Sequence, residues 1–96
     1  MTLKNEILSF RATIRGAIQG VNFRLYTKYQ AVRLNVTGWV RNQPDGSVQV
    51  LAQGRTSTLH ELIALLWEGP GIASVTDVDI NWMPAGEIRS DFRVLW

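Results

Sequence analysis

Gly16 and Gly20 bracket a short stretch that leads into an amphipathic run beginning Phe23-Arg24. Glycine admits backbone angles that other residues resist. A loop of this kind can turn successive N–H groups inward and make a concave seat for an anion. It opens onto a helix N-terminus, where free N–H groups and the helix dipole favour a phosphate. Arg24 falls in the first turn, and a guanidinium there can grip two phosphate oxygens at once. Asn42 is the second residue of interest, just ahead of the turn Gln43-Pro44-Asp45-Gly46. Each residue also has a plainer reading. Gly-x-x-x-Gly is a common glycine turn, and Asn often starts a turn by bonding its own backbone. Residue types alone leave both readings open.

The surrounding pattern supplies elements that could hold these groups. Over residues 8–15, Leu8, Phe10, Ala12 and Ile14 alternate with Ser9, Arg11, Thr13 and Arg15. That period of two predicts a strand with one wet face, stopping at Gly16. Phe23, Thr27, Ala31 and Leu34 recur at helical spacing, predicting a helix over residues 23–34, with Asn35 placed for a left-handed C′ position. A β-prone run over 36–41 and another over 47–53 flank the Pro44/Gly46 turn and predict a hairpin. Leu59, Leu62, Ile63, Leu66 and Trp67 form a wide helical stripe, with Thr58 and Glu61 at capping-box spacing. Gly69-Pro70-Gly71 ends that helix. Strands are predicted over 74–82 and again around Phe92, Val94 and Trp96.

The order β-α-β-β-α-β-β is the split βαβ, or ferredoxin-like, arrangement with an extra C-terminal strand. It predicts an α+β sandwich: an antiparallel sheet with two helices on one face. Ser9, Arg11, Thr13, Gln49 and Asp79 are expected to be solvated on the other face. The 96 residues suit a single domain, 1–96. A net charge of +2 fits a small anionic substrate and is too weak to argue for nucleic acid. The absence of cysteine excludes thiolate chemistry, disulfides and Cys-based metal sites, and fits a reducing cytosol. The first residues have no signal-peptide pattern, and the apolar run 62–67 is far too short to span a bilayer.

Other residues that could do chemistry read less well. His60 is the single histidine, so no His-paired dyad or His–His metal motif exists. Asp77 and Asp79 share a strand face that points to water. Trp39, Trp67, Trp82 and Trp96 are expected in core or edge packing, with Trp39 bracing the hairpin. An RNA-recognition module of the same topology would need aromatics on the exposed face of its central strands, where this chain has Ser9, Arg11, Thr13, Gln49 and Leu51.

Taken together, two segments are more specific than either alone. Gly16-Ala17-Ile18-Gln19-Gly20-Val21-Asn22-Phe23-Arg24 closely resembles the acylphosphatase loop, Gly-x-Val-Gln-Gly-Val-x-Phe-Arg. Gly38-Trp39-Val40-Arg41-Asn42, followed by Asp45-Gly46-Ser47-Val48, is similar to that family's second motif. Gly69-Pro70 and Asp91-Phe92-Arg93-Val94 extend the resemblance over almost the whole chain, from about residue 9 to residue 94. Ile18, Asn22, Asn35 and Gln49 depart from its usual residues.

The resemblance implies an enzyme that hydrolyses acyl phosphates to a carboxylate and inorganic phosphate, without metal or cofactor. It implies that the backbone N–H groups of Gln19, Gly20, Val21, Asn22 and Phe23, with the Arg24 side chain, hold the phosphoryl group. Asn42 would orient the attacking water. A cytoplasmic monomer acting on a small molecule, with no nucleic-acid or membrane partner, is expected. An alternative is an acylphosphatase-like domain of a larger enzyme handling carbamoyl phosphate, although a chain with its own Met1 reads as free-standing. A non-catalytic binding module of ferredoxin-like fold is the other.

Overall fold

The computed structural model describes residues 6–87 and 89–96. The alternating and helical patterns become β1 (Ile7–Ala17), α1 (Phe23–Arg33), β2 (Thr37–Asn42), β3 (Val48–Arg55), α2 (Thr56–Glu68), β4 (Ser74–Pro84) and β5 (Phe92–Leu95). The strands make one sheet in the order β4-β1-β3-β2-β5. The α+β sandwich expected from the element order is present, and both helices contribute to one core.

The sheet is mixed rather than wholly antiparallel. β1 pairs antiparallel with β3 and β4, and β2 antiparallel with β3, but β5 runs parallel to β2, with Gly38 opposite Phe92 and Arg41 opposite Leu95. The cause is the short link after β4. Leu8 faces Pro84, so β4 finishes at the end of the sheet where β1 begins. The chain crosses that same end and enters β5 beside the start of β2, where Gly38 N–H donates to the Asp91 carbonyl at 3.0 Å. A strand launched from there can only run alongside β2.

Gln53 anchors the crossing. Its Oε1 accepts from Gly86 N–H at 2.8 Å and from Ser9 Oγ at 2.6 Å, and its Nε2 donates to the Glu87 carbonyl at 3.1 Å. Ser9 is therefore buried, at 4% exposure, and not solvated as its place in the alternation predicts. Arg11 and Asp79, further along the same face, are exposed.

The core lies between this sheet and the helices. Phe10, Ala12 and Ile14 of β1 and Val48, Val50 and Ala52 of β3 meet Phe23, Thr27 and Ala31 of α1 and Leu59, Leu62 and Leu66 of α2. Each large apolar side chain buried there stabilises the fold by roughly 1.5–3 kcal/mol. Trp67 lies outside the stripe and is half exposed, because it sits about 100° around α2 from Leu66. Tyr26 Oη donates to the Leu65 carbonyl at 2.8 Å and ties α1 to α2. Burial, reinforced by Glu68, raises its phenol pKa.

Helix ends follow local chemistry with one correction. α1 closes as the sequence predicts: Asn35 adopts φ 59°, Val36 N–H donates to Ala31 O at 2.8 Å and Asn35 N–H to Val32 O at 3.1 Å, a Schellman pair. α2 has no capping box at Thr58. It begins at Thr56, directly after β3, so Thr58 is already inside the first turn. Thr56 instead holds the junction, donating its N–H (2.9 Å) and Oγ1 (2.8 Å) to the Glu6 carbonyl.

β1 also runs past Gly16, where the alternation alone would stop it. A bulge between Arg15 and Gly16 shifts its register on β4, and bulges re-aim a strand in this way. Gly16 has φ +135°, and a Cβ there would lie 2.0 Å from the Ser74 carbonyl oxygen. Gly16→Ala should therefore cost on the order of 2 kcal/mol or more in urea unfolding; a loss within 0.5 kcal/mol, roughly the range of neutral surface changes, would mean the close approach is dispensable.

The β2–β3 turn is closed by Gly46 N–H to the Gln43 carbonyl at 3.1 Å. Asp45 Oδ1 accepts from Ser47 Oγ (2.6 Å) and Ser47 N–H (2.9 Å), and Oδ2 meets Arg15 at 3.2 Å. Hydrogen bonds from the Ser47 hydroxyl and then its N–H, aided by Arg15, hold the Asp45 carboxyl at about 2, below the ordinary 3.8. A carboxyl lowered on folding stabilises the native state above its unfolded pKa, and that contribution is lost as pH falls through the folded value. Asp45→Asn should thus unfold at lower urea than wild type at neutral pH, with the gap closing as pH falls towards about 2. A gap that is independent of pH would show that the carboxylate charge is not what matters.

Candidate active site

The bulge at Gly16 hands the chain to a loop that must reverse direction before α1. Gly20 has φ +78° and Asn22 φ +63°, both left-handed. Asn is among the few side-chain-bearing residues that tolerate this region, so Asn22 fits where the loop demands it. Ile18 anchors the loop from below at 1% exposure, and Phe23 locks the first turn into the core at 2%.

α1 starts without a lid. The Asn22 side chain makes no capping hydrogen bond, and the first turn holds no acidic residue. The first helical bond comes from Tyr26 N–H to the Asn22 carbonyl at 2.9 Å. The N–H groups of Phe23, Arg24 and Leu25 therefore have no acceptor within the helix. These donors and the helix dipole present positive potential at the loop.

Gln19 joins the loop to the hairpin. Its Nε2 donates to the Gln43 carbonyl at 2.8 Å and to the Ser47 carbonyl at 2.9 Å. One side-chain amide thus spans the loop before α1 and the turn after Asn42. Asn42 ends β2, opposite Val48, and is half buried. Its side-chain amide makes no hydrogen bond to any other described residue, so it is not spent on capping its own turn.

Arg24 points into the same region and is held there by the end of the sheet. Its Nη1 donates to the Leu95 carbonyl at 2.9 Å, and its guanidinium lies 4.2 Å from the centre of the Trp96 ring. Parallel pairing of β5 on β2 sets Leu95 opposite Arg41, one residue from Asn42. The sequence gives no hint of this contact, because nothing local links residue 96 to residue 24. Trp96 was expected in core or edge packing; it is instead 87% exposed and stacked on Arg24.

Arg24 and Asn42 both line a concave cavity of about 130 Å³. Gly20, Asn22 and Phe23 line it too, with Ile18, Leu25 and Trp96 as apolar wall. Gln19 and Val21 are not in the lining. Gln19 turns its side chain to the hairpin, and Val21 packs against the core. The side chains of the lining include one cation, two primary amides and no carboxylate or imidazole. Such a site can bind a tetrahedral anion and hold a water, and none of its side chains is suited to act as a general base.

The other residues with chemical potential lie elsewhere. His60 packs on Trp82, with ring centres 5.2 Å apart, and Trp82 meets Phe10 edge-on at 5.6 Å. Asp77 and Asp79 are exposed on β4. Trp39 is on the outer sheet face between Arg41 (5.0 Å) and Arg11 (5.9 Å). Among the described residues, no group of three His, Cys, Asp or Glu side chains could hold a metal ion. No helix among them is long and apolar enough to cross a membrane.

Comparison with known proteins bears on this geometry. The acylphosphatase family model matches residues 10–94. A Salinibacter ruber protein described as acylphosphatase is 49% identical over 83 residues, covering 86% of this chain and 87% of its own length. The acylphosphatase structure from Coxiella burnetii superposes with a TM-score of 0.89 at 38% identity, over 99% of this chain and 100% of that one. The one from Bacillus subtilis gives 0.90 at 29% identity, over 93% and 99%. With the family motif, the sequence identity and the fold in agreement, this chain belongs to the acylphosphatase family.

Proposed function

We propose that Arg24 and the backbone N–H groups around it hold the phosphoryl group of an acyl phosphate, and that Asn42 aims a water at the phosphorus. The family makes the chain an acyl phosphate hydrolase, releasing a carboxylate and inorganic phosphate. The observation that carries the residue assignment is the shared cavity, which takes its one cationic side chain, Arg24, from α1 and the Asn42 amide from β2.

The chemistry needs little more. The leaving group is a carboxylate, already a stable anion, so no general acid is required. The bond from phosphorus to the acyl oxygen breaks with its electron pair going to the carboxylate. The bond from the water oxygen to phosphorus forms on the opposite side. Phosphoryl transfer passes through a loose transition state, and its catalysis is mostly positioning and charge stabilisation. Fixed donors around the equatorial oxygens provide both. With no side-chain base in the lining, the water's proton passes to a phosphate oxygen. No step calls for a metal ion or cofactor.

The backbone donors assigned are those of Gln19, Gly20, Val21, Asn22 and Phe23. The lining of the cavity by Gly20, Asn22 and Phe23 supports the last part of that set most directly. We further propose that residues 1–96 act as one domain and as a cytoplasmic monomer without a nucleic-acid partner. The lack of aromatic side chains at the outward positions of β1 and β3, where Arg11, Thr13, Gln49 and Leu51 stand, supports the last point.

Arg24→Ala should lower kcat by on the order of a hundredfold to a thousandfold, with an unchanged circular dichroism spectrum. Arg24→Lys should fail as well, because an ammonium cannot reproduce the guanidinium fork. Asn42→Ala should lower kcat far more than it raises KM; a pure KM effect would make Asn42 a binding group only. These are read in steady-state hydrolysis of benzoyl phosphate with chelator present, which should leave the wild-type rate intact. In the same assay inorganic phosphate should compete with substrate, and non-competitive behaviour would place the anion seat elsewhere.

A further inference from the structure

We infer that the acyl group of the substrate rests against Trp96, with Leu25 as the facing wall, and that Trp96 makes the enzyme favour aromatic acyl phosphates over acetyl phosphate. The inference rests on the phosphate seat proposed above.

Size separates the two halves of the substrate. At about 130 Å³ the cavity is well below the ~300 Å³ at which pockets for whole organic ligands begin. It accommodates the phosphoryl group and a water, and the acyl group must lie at the mouth. Burial then decides what it meets there. Of the four apolar residues in the lining, Ile18 and Phe23 are 1% and 2% exposed and offer no free surface. Leu25 is 49% exposed and Trp96 87% exposed. Only these two can give apolar area to an acyl substituent.

Trp96 is suited to the task by how it is held. The Leu95 carbonyl and the Trp96 ring both engage the Arg24 guanidinium, at 2.9 Å and 4.2 Å from the ring centre respectively. A cation over an indole face is an attractive contact. It sets the ring beside the group that binds phosphate while leaving most of its surface in solvent. A flat aromatic side chain with two torsions loses little freedom when a second ring packs on it. An acetyl group is too small to use that surface, whereas a benzoyl ring can pack on it. The contact is made by substrate and transition state alike, so its main effect should be on KM.

The test is the ratio of kcat/KM for benzoyl phosphate to that for acetyl phosphate. A ratio cancels any common loss from disturbed placement of Arg24, which a merely positioning role for Trp96 would produce. Trp96→Ala should reduce the ratio by about tenfold, the upper range for an aromatic pair, chiefly through KM for benzoyl phosphate. Trp96→Phe should restore most of it, and Leu25→Ala should lower it to a lesser degree. Because Trp96 is exposed, a native circular dichroism spectrum is expected for each of its variants. Equal losses on both substrates, leaving the ratio at its wild-type value, would overturn the inference while the hydrolytic reading stood. A wild-type protein inert towards both compounds would overturn the hydrolytic reading itself.

Discussion

Backbone N–H groups left without acceptors among the described residues at the start of α1 are the feature around which the molecule is arranged. Buried or crowded donors of this kind are normally satisfied by a capping side chain. Here Asn22, a residue well able to cap, adopts a left-handed conformation and makes no cap. The donors stay available only if the loop before them cannot relax. Three separate contacts prevent that. The bulge at Gly16 fixes how the chain leaves β1. Ile18 is sunk in the core. The Gln19 amide is bonded to two carbonyls of the opposite turn. Each restrains the loop at a different residue.

Electrostatics follow the same arrangement. A guanidinium among unpaired N–H groups repels other cations and needs partners that do not neutralise it. Arg24 is given a carbonyl and an aromatic face rather than a carboxylate. Both orient it, and neither cancels its charge as an ion pair would. Asp45, in the turn after Asn42, is committed elsewhere: it takes two hydrogen bonds from Ser47 and faces Arg15. The turn after Asn42 is thus stiffened by a charge that is already engaged, and the Asn42 amide makes no hydrogen bond to another described residue.

The sheet order explains how so small a fold brings these groups together. β1 and β3 form its buried centre, β2 lies next to β3, and β5 closes that side in parallel. The end of β1, the start of α1 and the end of β2 meet at one end of the sandwich. β5, which finishes at that same end, adds Leu95 and then Trp96 to it. Gln53 is the remote support for this placement, since it steers the link from β4 across the sheet to the start of β5.

What the sequence determined by itself was everything that depends on neighbours in the chain. Alternation marked the strands, helical spacing marked Phe23, Thr27 and Ala31 as the buried face of α1, and Asn35 marked its left-handed end. The candidate site was legible to the same extent, because Gly16, Gly20 and Arg24 lie within one loop and Asn42 within one motif. Thr58 misled because capping-box spacing is satisfied by chance within a first turn, and the true start of α2 depends on a bond from Thr56 to Glu6, far away in sequence. Ser9 misled because alternation cannot register a cover that arrives through Gln53 from the opposite strand. Only the tertiary structure decided that β5 runs parallel to β2, that Gln19 ties the loop to the hairpin, and that Trp96 lies on Arg24. Those are contacts between residues some 24 to 72 positions apart. No local pattern encodes them; they exist because the assembled sheet leaves those groups at the same end of the molecule.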